Sequence, residues 1–241
     1  MGTSNRKAAA ALRRQRAAEA RRKKILFGTA VAGAVLLIGG LLGFGIWMNR
    51  GVDHEVNEPV AATTDDHAVR LGDGPVEIDL YIDYMCPACN EFESTHAADL
   101  QRWLDDGSVT VDYHPLAILD RLSQGTEYST RAGSAAVCAA DAGEQQFLDY
   151  TLALYEHQPA ENTTGLTDEE LKRIGAEAAG LDQDWERCVD DQTYYGWVQD
   201  GTAAAANEQD VSSTPTAIVD GERVGSRSFA GAVETAIAAA A

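Results

Sequence analysis

Basic residues are scarce over most of this chain. The 241 residues contain 19 lysines and arginines against 38 aspartates and glutamates, and nine of the basic residues lie in the first 24 positions, beside one acid. Removing this tail from the totals leaves 10 basic and 37 acidic residues, a net charge of about −27. Such a charge repels nucleic acid and anionic lipid and, more simply, keeps the chain in solution. We therefore predict no nucleic-acid partner.

The sequence also contains few residue spacings that are typical of a metal site. The five histidines show no ligand spacing, and the chain contains only four cysteines. Cys86 and Cys89 form a C-x-x-C motif, whereas Cys138 and Cys188 lie far apart in the sequence. Structural zinc usually takes two close-spaced pairs of ligands. We predict no metal, and zinc held by all four cysteines remains the alternative.

One long segment lacks charge altogether. The residues from Ile25 to Met48 are uncharged, and about 20 apolar residues suffice to cross a bilayer as a helix. Lysines and arginines beside a span stay on the cytoplasmic side, so residues 1–24 are predicted to be a cytoplasmic tail. A cleaved signal peptide has a shorter apolar stretch and a nearby small-residue cleavage site, which makes it the less favoured alternative. We expect a single-pass plasma-membrane protein whose remaining residues are extracytoplasmic.

The exported part divides into a linker and an α/β domain. Residues 49–74 are polar and predict a linker with one short strand at 68–71, and the domain is expected to begin at residue 75. Alternating apolar residues predict strands, and Ala-, Glu- and Leu-rich stretches predict helices. The predicted order is a strand at 76–85, a helix to about 105, a second strand that runs into a loop over 108–119, a helical insertion over about 125–208, a strand pair at 216–224 and a last helix from about 230.

The C-P-A-C motif stands at the junction of the first strand and the first helix. Pro87 suits the first turn of a helix, where its missing N–H costs nothing. A helix N-terminus stabilises a thiolate through unpaired N–H groups and the positive end of the helix dipole. Cys86 is therefore predicted to be the nucleophile, and Cys89 is placed to resolve a mixed disulfide.

Two further features lie outside this motif. Cys138 and Cys188 both fall in predicted helices, and we expect a structural disulfide between them, with two separate buried thiols as the alternative. Thr214 and Pro215 stand directly before the late strand, where a tight turn suits either a cis bond or an ordinary trans proline.

These motifs resemble those of the DsbA family of the thioredoxin superfamily, particularly its membrane-anchored actinobacterial members. The resemblance rests on IDYMCPAC after a strand, YHPL in the second strand, the helical insertion and STPTAIVDGERV, and it covers residues 76–241. It implies a thioredoxin-like fold in which Pro215 is the cis-proline beside the two sulfurs and the Thr214 backbone pairs with substrate. It also implies a protein thiol-disulfide oxidoreductase with no cofactor beyond its redox-active disulfide.

The same resemblance implies partners. The enzyme would pass disulfides to reduced or unfolded exported proteins and would be reoxidised by a quinone-linked membrane oxidase of the DsbB or VKOR type. Two departures affect the redox poise: Ala88 replaces the histidine of strongly oxidising members, and Leu80 replaces a buried acid of many superfamily members. A reductase or isomerase of the same fold, and a non-enzymatic peptide-binding or chaperone module, therefore remain alternatives.

Overall fold

The computed structural model describes residues 56–59, 63–64 and 67–240. The predicted cytoplasmic tail and the predicted transmembrane helix lie outside these residues. Within the described part of the chain, no helix is long and apolar enough to cross a membrane.

A mixed sheet forms the centre of the fold, with strand order β1-β2-β4-β3-β5-β6. The strands are β1 (Thr63–Thr64), β2 (Ala68–Leu71), β3 (Val76–Ile82), β4 (Val109–Pro115), β5 (Thr216–Val219) and β6 (Glu222–Val224). β3 runs parallel to β4 and antiparallel to β5, with Tyr81 opposite Thr216. The C-terminal end of β3 and the N-terminal end of β5 therefore lie side by side at the same end of the sheet.

Seven helices surround this sheet in the described residues. They are α1 (Pro87–Asp105), α2 (Tyr128–Ala142), α3 (Glu144–Glu156), α4 (Asp168–Ala179), α5 (Gln183–Asp190), α6 (Tyr195–Glu208) and α7 (Phe229–Ala240). Helices α2 to α6 form the predicted insertion between β4 and β5. The Thr167 side chain begins α4 with the capping box that its spacing to Glu170 predicts.

The core continues on both faces of β3, because successive side chains of a strand point to opposite faces. Ile78, Leu80 and Ile82 are almost fully buried in the main cluster. On the same side, α1 and α7 pack through aromatic contacts such as Phe92 with Phe229, whose ring centroids are 4.9 Å apart. Tyr81 faces the other way and lies in a smaller cluster with residues that include Ala205 of α6.

The sheet begins before the predicted domain boundary at residue 75. The strand expected at 68–71 is present, and it pairs antiparallel with β4, with Val69 opposite Tyr113. Ala68, Val69 and Leu71 are buried. These residues pair with the sheet of the domain, within the segment that the polar composition of 49–74 predicts to be a linker.

Candidate active site

The C-P-A-C motif lies where the central strand gives way to the first helix. β3 ends at Ile82, and the Cys86 N–H donates to the Asp83 carbonyl at 2.9 Å, which closes a turn between strand and helix. Cys86 is the N-cap of α1, and Pro87 occupies its first turn. The helix therefore directs its free N–H groups towards the first cysteine, as the sequence predicts.

The two cysteines differ in their accessibility. Both are free thiols, but Cys86 keeps 7% of its surface exposed and Cys89 none. Between them, Pro87 and Ala88 are exposed. Of the two cysteines, only Cys86 has exposed surface, so a large reactant would reach Cys86 before Cys89.

The surroundings shift the acidities of the two thiols in opposite directions. The hydrogen bond from Cys89, helped by the Thr214 side chain and by the backbone N–H groups of Cys89 and Ala88, lowers the pKa of Cys86 to about 6 against the opposing effect of burial. Burial, followed by the interaction with Cys86, raises the pKa of Cys89 well above its usual range. Near neutral pH the negative charge therefore resides on Cys86.

The loop before β5 completes the site. The Thr214–Pro215 peptide bond is cis, and the Cys86 thiol donates to the Thr214 carbonyl at 3.3 Å. Both loop residues are only partly buried. The structure thus brings Cys86, Cys89, Thr214 and Pro215 together from positions that are far apart in the sequence.

A comparison with protein families identifies this arrangement, because the thioredoxin family model matches residues 64–239. The chain belongs to the thioredoxin family. Its β-sheet, its C-P-A-C helix and its cis-proline loop are those of a thiol-disulfide oxidoreductase.

Solved structures show which members of the thioredoxin superfamily this chain resembles. It is similar to the reduced form of the disulfide bond oxidoreductase DsbG from Mycobacterium tuberculosis, with 29% identity and a TM-score of 0.63 over 72% of this chain and 89% of that one. It is also similar to oxidised DsbA of the same organism, with 29% identity and a TM-score of 0.59 over 72% of this chain and all of that one. The predicted resemblance to the DsbA family is confirmed.

The chain matches only a small part of a much longer curated relative. The chain is 33% identical over 115 residues to the serine/threonine-protein kinase PknE of Mycobacterium tuberculosis. The match spans 44% of this chain but only 20% of the kinase. The similarity therefore concerns one part of the kinase and assigns no kinase activity to this chain.

The remaining two cysteines lie in the helical insertion. Cys138 of α2 and Cys188 of α5 form a disulfide, with their Cα atoms 6.0 Å apart. Since these sulfurs bond to each other, the four cysteines do not form a tetrahedral thiolate set, and the zinc alternative is wrong.

Asp83 is a buried acid that was not among the predicted site residues. Its side chain is fully buried just before the motif and accepts hydrogen bonds from the backbone N–H groups of Met85 and Leu119, both at 2.8 Å, and from the Ser129 hydroxyl at 2.7 Å. Burial raises the pKa of Asp83 to about 7 despite these donors. The acid expected six residues before the first cysteine is replaced by Leu80, and Asp83 is a buried acid three residues before it.

Glu93 is a second buried acid that the sequence analysis missed. It follows Cys89 by four residues and therefore lies on the same face of α1. Its side chain is only 2% exposed. Burial raises the pKa of Glu93 to about 8, although the Tyr113 side chain opposes the shift. Among the described residues, its Oε1 atom has no hydrogen-bond partner. The sequence signal that could have revealed Glu93 is an acidic residue among the apolar positions of a predicted helix.

Proposed function

We propose that this chain is a membrane-anchored thiol-disulfide oxidoreductase that donates the Cys86–Cys89 disulfide to reduced, newly exported proteins. The observation that carries the proposal is the difference in exposure and in pKa between the two thiols. Cys86 is accessible and has a depressed pKa, whereas Cys89 is buried and has a raised one.

This difference determines the order of bond changes. A substrate thiolate attacks the Cys86 sulfur of the oxidised enzyme, forms a mixed disulfide and displaces Cys89, which takes up a proton because its pKa is raised. A second substrate thiolate then attacks the substrate's own sulfur and displaces Cys86. Cys86 leaves readily because its thiolate is stable. The substrate gains a disulfide and the enzyme gains two electrons.

The loop before β5 is the proposed substrate-binding element. The Thr214 carbonyl is 3.3 Å from the Cys86 sulfur, so an extended substrate segment that pairs with the Thr214 backbone would bring its own cysteine to Cys86. Pro87 and Ala88, which follow Cys86 in the chain, are exposed.

Turnover requires an electron acceptor. The reaction uses no cofactor beyond the redox-active disulfide, and we propose that a quinone-linked membrane oxidase of the DsbB or VKOR type restores it. Residues 25–48 would hold the catalytic domain at the extracytoplasmic face of the plasma membrane, where this oxidase works.

Loss of the first cysteine tests the proposal. In the full-length chain in detergent, Cys86→Ser should abolish oxidation of a reduced peptide that carries two cysteines. The double variant with Cys138→Ala and Cys188→Ala is the control, because it removes two sulfurs outside the C-P-A-C motif and should retain the reaction. Oxidation by the Cys86→Ser variant at the wild-type rate would exclude the assignment.

The direction of electron flow is tested by the reduction potential of the Cys86–Cys89 pair, measured by equilibration with glutathione. DsbA has a potential of about −120 mV and thioredoxin one of about −270 mV. A value close to that of DsbA is expected for a disulfide donor. A value close to that of thioredoxin would favour a reductase, and a Cys86 of ordinary reactivity would favour a peptide-binding module.

A further inference from the structure

The side chains of Asn90 and Gln158 and the backbone carbonyl of Tyr155 connect the first turn of α1 to the helical insertion. Asn90 lies on α1, Tyr155 lies at the end of α3, and Gln158 follows α3 directly before Pro159. We call Asn90, Tyr155 and Gln158 the clasp. They lie around the C-P-A-C motif but outside it, and the reaction proposed above assigns them no step.

The Gln158 amide is fully engaged in the clasp. Its Nε2 atom donates to the carbonyl oxygens of Tyr84, at 3.0 Å, and Cys86, at 2.9 Å. Its Oε1 atom accepts from Asn90 Nδ2 at 3.3 Å, and the same Asn90 nitrogen donates to the Tyr155 carbonyl at 2.7 Å. Because both ends of the amide are bonded, the orientation of Gln158 is fixed.

The Cys86 carbonyl is a sensitive point for such a contact. It already accepts the N–H groups of Cys89, at 3.1 Å, and Asn90, at 3.2 Å, which form the first hydrogen bonds of α1. Gln158 adds a third donor from outside the helix. The plane of the Cys86–Pro87 peptide is thereby held from two sides, and this plane determines where the Cys86 side chain points relative to the N–H groups of Ala88 and Cys89.

The Tyr84 carbonyl extends the same restraint into the turn. Tyr84 lies in the turn between β3 and α1. By bonding Tyr84 and Cys86 together, Gln158 bridges the turn that orients the reactive sulfur. A side chain of the insertion therefore controls the geometry on which thiolate stabilisation depends.

We propose that Gln158 is a positioning residue that keeps Cys86 aligned with the N-terminus of α1, so that the helical insertion sets the redox poise of the pair. The inference rests on the proposed function. A less well aligned Cys86 forms a less stable thiolate, which disfavours the reduced enzyme and weakens it as an oxidant.

The test compares variants of Gln158 in the full-length protein. Gln158→Met keeps the length of the side chain and removes its hydrogen bonds, and Gln158→Glu removes the donor and places a carboxylate beside two carbonyl oxygens. The readouts are the pH titration of thiolate absorbance and the equilibrium constant with glutathione. Gln145→Ala is the matched control, because Gln145 is an exposed glutamine of α3 that bonds Asp149 only within its own helix.

Gln158→Met should raise the Cys86 pKa and shift the glutathione equilibrium about threefold to tenfold towards the oxidised enzyme, where tenfold corresponds to about 30 mV. Gln158→Glu should shift both the Cys86 pKa and the glutathione equilibrium further. Gln145→Ala should change neither of them. Loss of thermal stability in the Gln158 variants with unchanged pKa and equilibrium would overturn the proposal. If Gln158→Met does not fold, Asn90→Ala, which releases the Gln158 amide, should give a smaller shift in the same direction.

These readouts are independent of protein substrates. If the wild-type enzyme failed to oxidise any peptide, the proposed function would fall, but the pKa and equilibrium comparisons would still decide whether Gln158 positions Cys86.

Discussion

Cys86 and Cys89 show how surroundings, rather than residue type, set the chemistry of a thiol. The two residues are one helical turn apart, yet the pKa of Cys86 falls and that of Cys89 rises. The helix N-terminus contributes through backbone N–H groups, but the largest single stabiliser of the Cys86 thiolate is the Cys89 side chain. The second cysteine therefore tunes the first in addition to resolving its mixed disulfides.

Replacing the second cysteine tests this tuning. Cys89→Ala should raise the Cys86 pKa above about 6, because the strongest hydrogen bond to the thiolate is lost. Cys89→Ser keeps a hydroxyl donor and should raise it less. The pH dependence of Cys86 alkylation by iodoacetamide measures both values. An alanine midpoint equal to that of the wild type would show that the helix N-terminus, and not the Cys89 side chain, dominates.

Glu93 should make the stability of the fold depend on pH. Its pKa is about 8 in the folded chain against a reference of 4.5, so the unfolded chain loses this proton first as the pH rises. The contribution of Glu93 to the free energy of unfolding should therefore be largest below about pH 4.5. It should fall by up to a few kcal/mol as the pH rises to about 8. Asp83, with a pKa raised to about 7, acts in the same direction.

The substitution Glu93→Gln removes this titration and should flatten the pH dependence. Urea midpoints at about pH 5 and about pH 8 measure it, in the oxidised protein so that the Cys86 and Cys89 thiols do not contribute. Glu91→Gln, an exposed neighbour on α1, should leave the dependence unchanged. A pH dependence that survives Glu93→Gln intact would assign it to other groups.

At the scale of elements, local signals predicted most of the fold. Apolar alternation located β3, the Thr167 capping box located the start of α4, and C-P at a strand end placed Cys86 on the α1 N-cap. Non-local contacts escaped prediction. The membership of β2 in the sheet depends on pairing with β4, and the burial of Asp83 depends on donors from the insertion.

The clasp escaped prediction for the same physical reason. Gln158 stands in a loop of polar composition, and nothing in its neighbours indicates that its amide reaches the Cys86 carbonyl 72 positions away. The C-P-A-C motif and the Thr214–Pro215 pair could be predicted because their chemistry requires a particular residue type at a particular element boundary. Supporting residues require only a donor at the right point in space, which several chain positions could supply.

The disulfide of the insertion is expected to stabilise the fold without setting the redox poise. It closes a loop of 50 residues between α2 and α5, for which the chain-entropy relation gives about 4 kcal/mol. The double variant with Cys138→Ala and Cys188→Ala should lower the free energy of unfolding by roughly this amount. The glutathione equilibrium of the Cys86–Cys89 pair should not change, and a tenfold change would show that the disulfide also acts on the active site.

At the scale of the whole molecule, the chain divides into a basic part and an acidic part. Nine basic residues lie within residues 1–24, and the remainder carries a net charge of about −27. Lysine and arginine beside an apolar span remain in the cytoplasm, whereas an acidic domain is not held back by the anionic membrane surface. This asymmetry supports the proposed orientation of the catalytic domain.

Protease treatment of intact cells tests that orientation on the full-length chain. With residues 25–48 spanning the membrane, a protease added outside should digest the catalytic domain and leave the basic tail protected until the cells are lysed. An anchored chain should also keep its full mass of 25.8 kDa in the membrane fraction. A shorter chain released into the medium would indicate signal-peptide cleavage. A catalytic domain protected in intact cells would exclude the extracytoplasmic role, because Cys86 and Cys89 would then face a compartment that keeps thiols reduced.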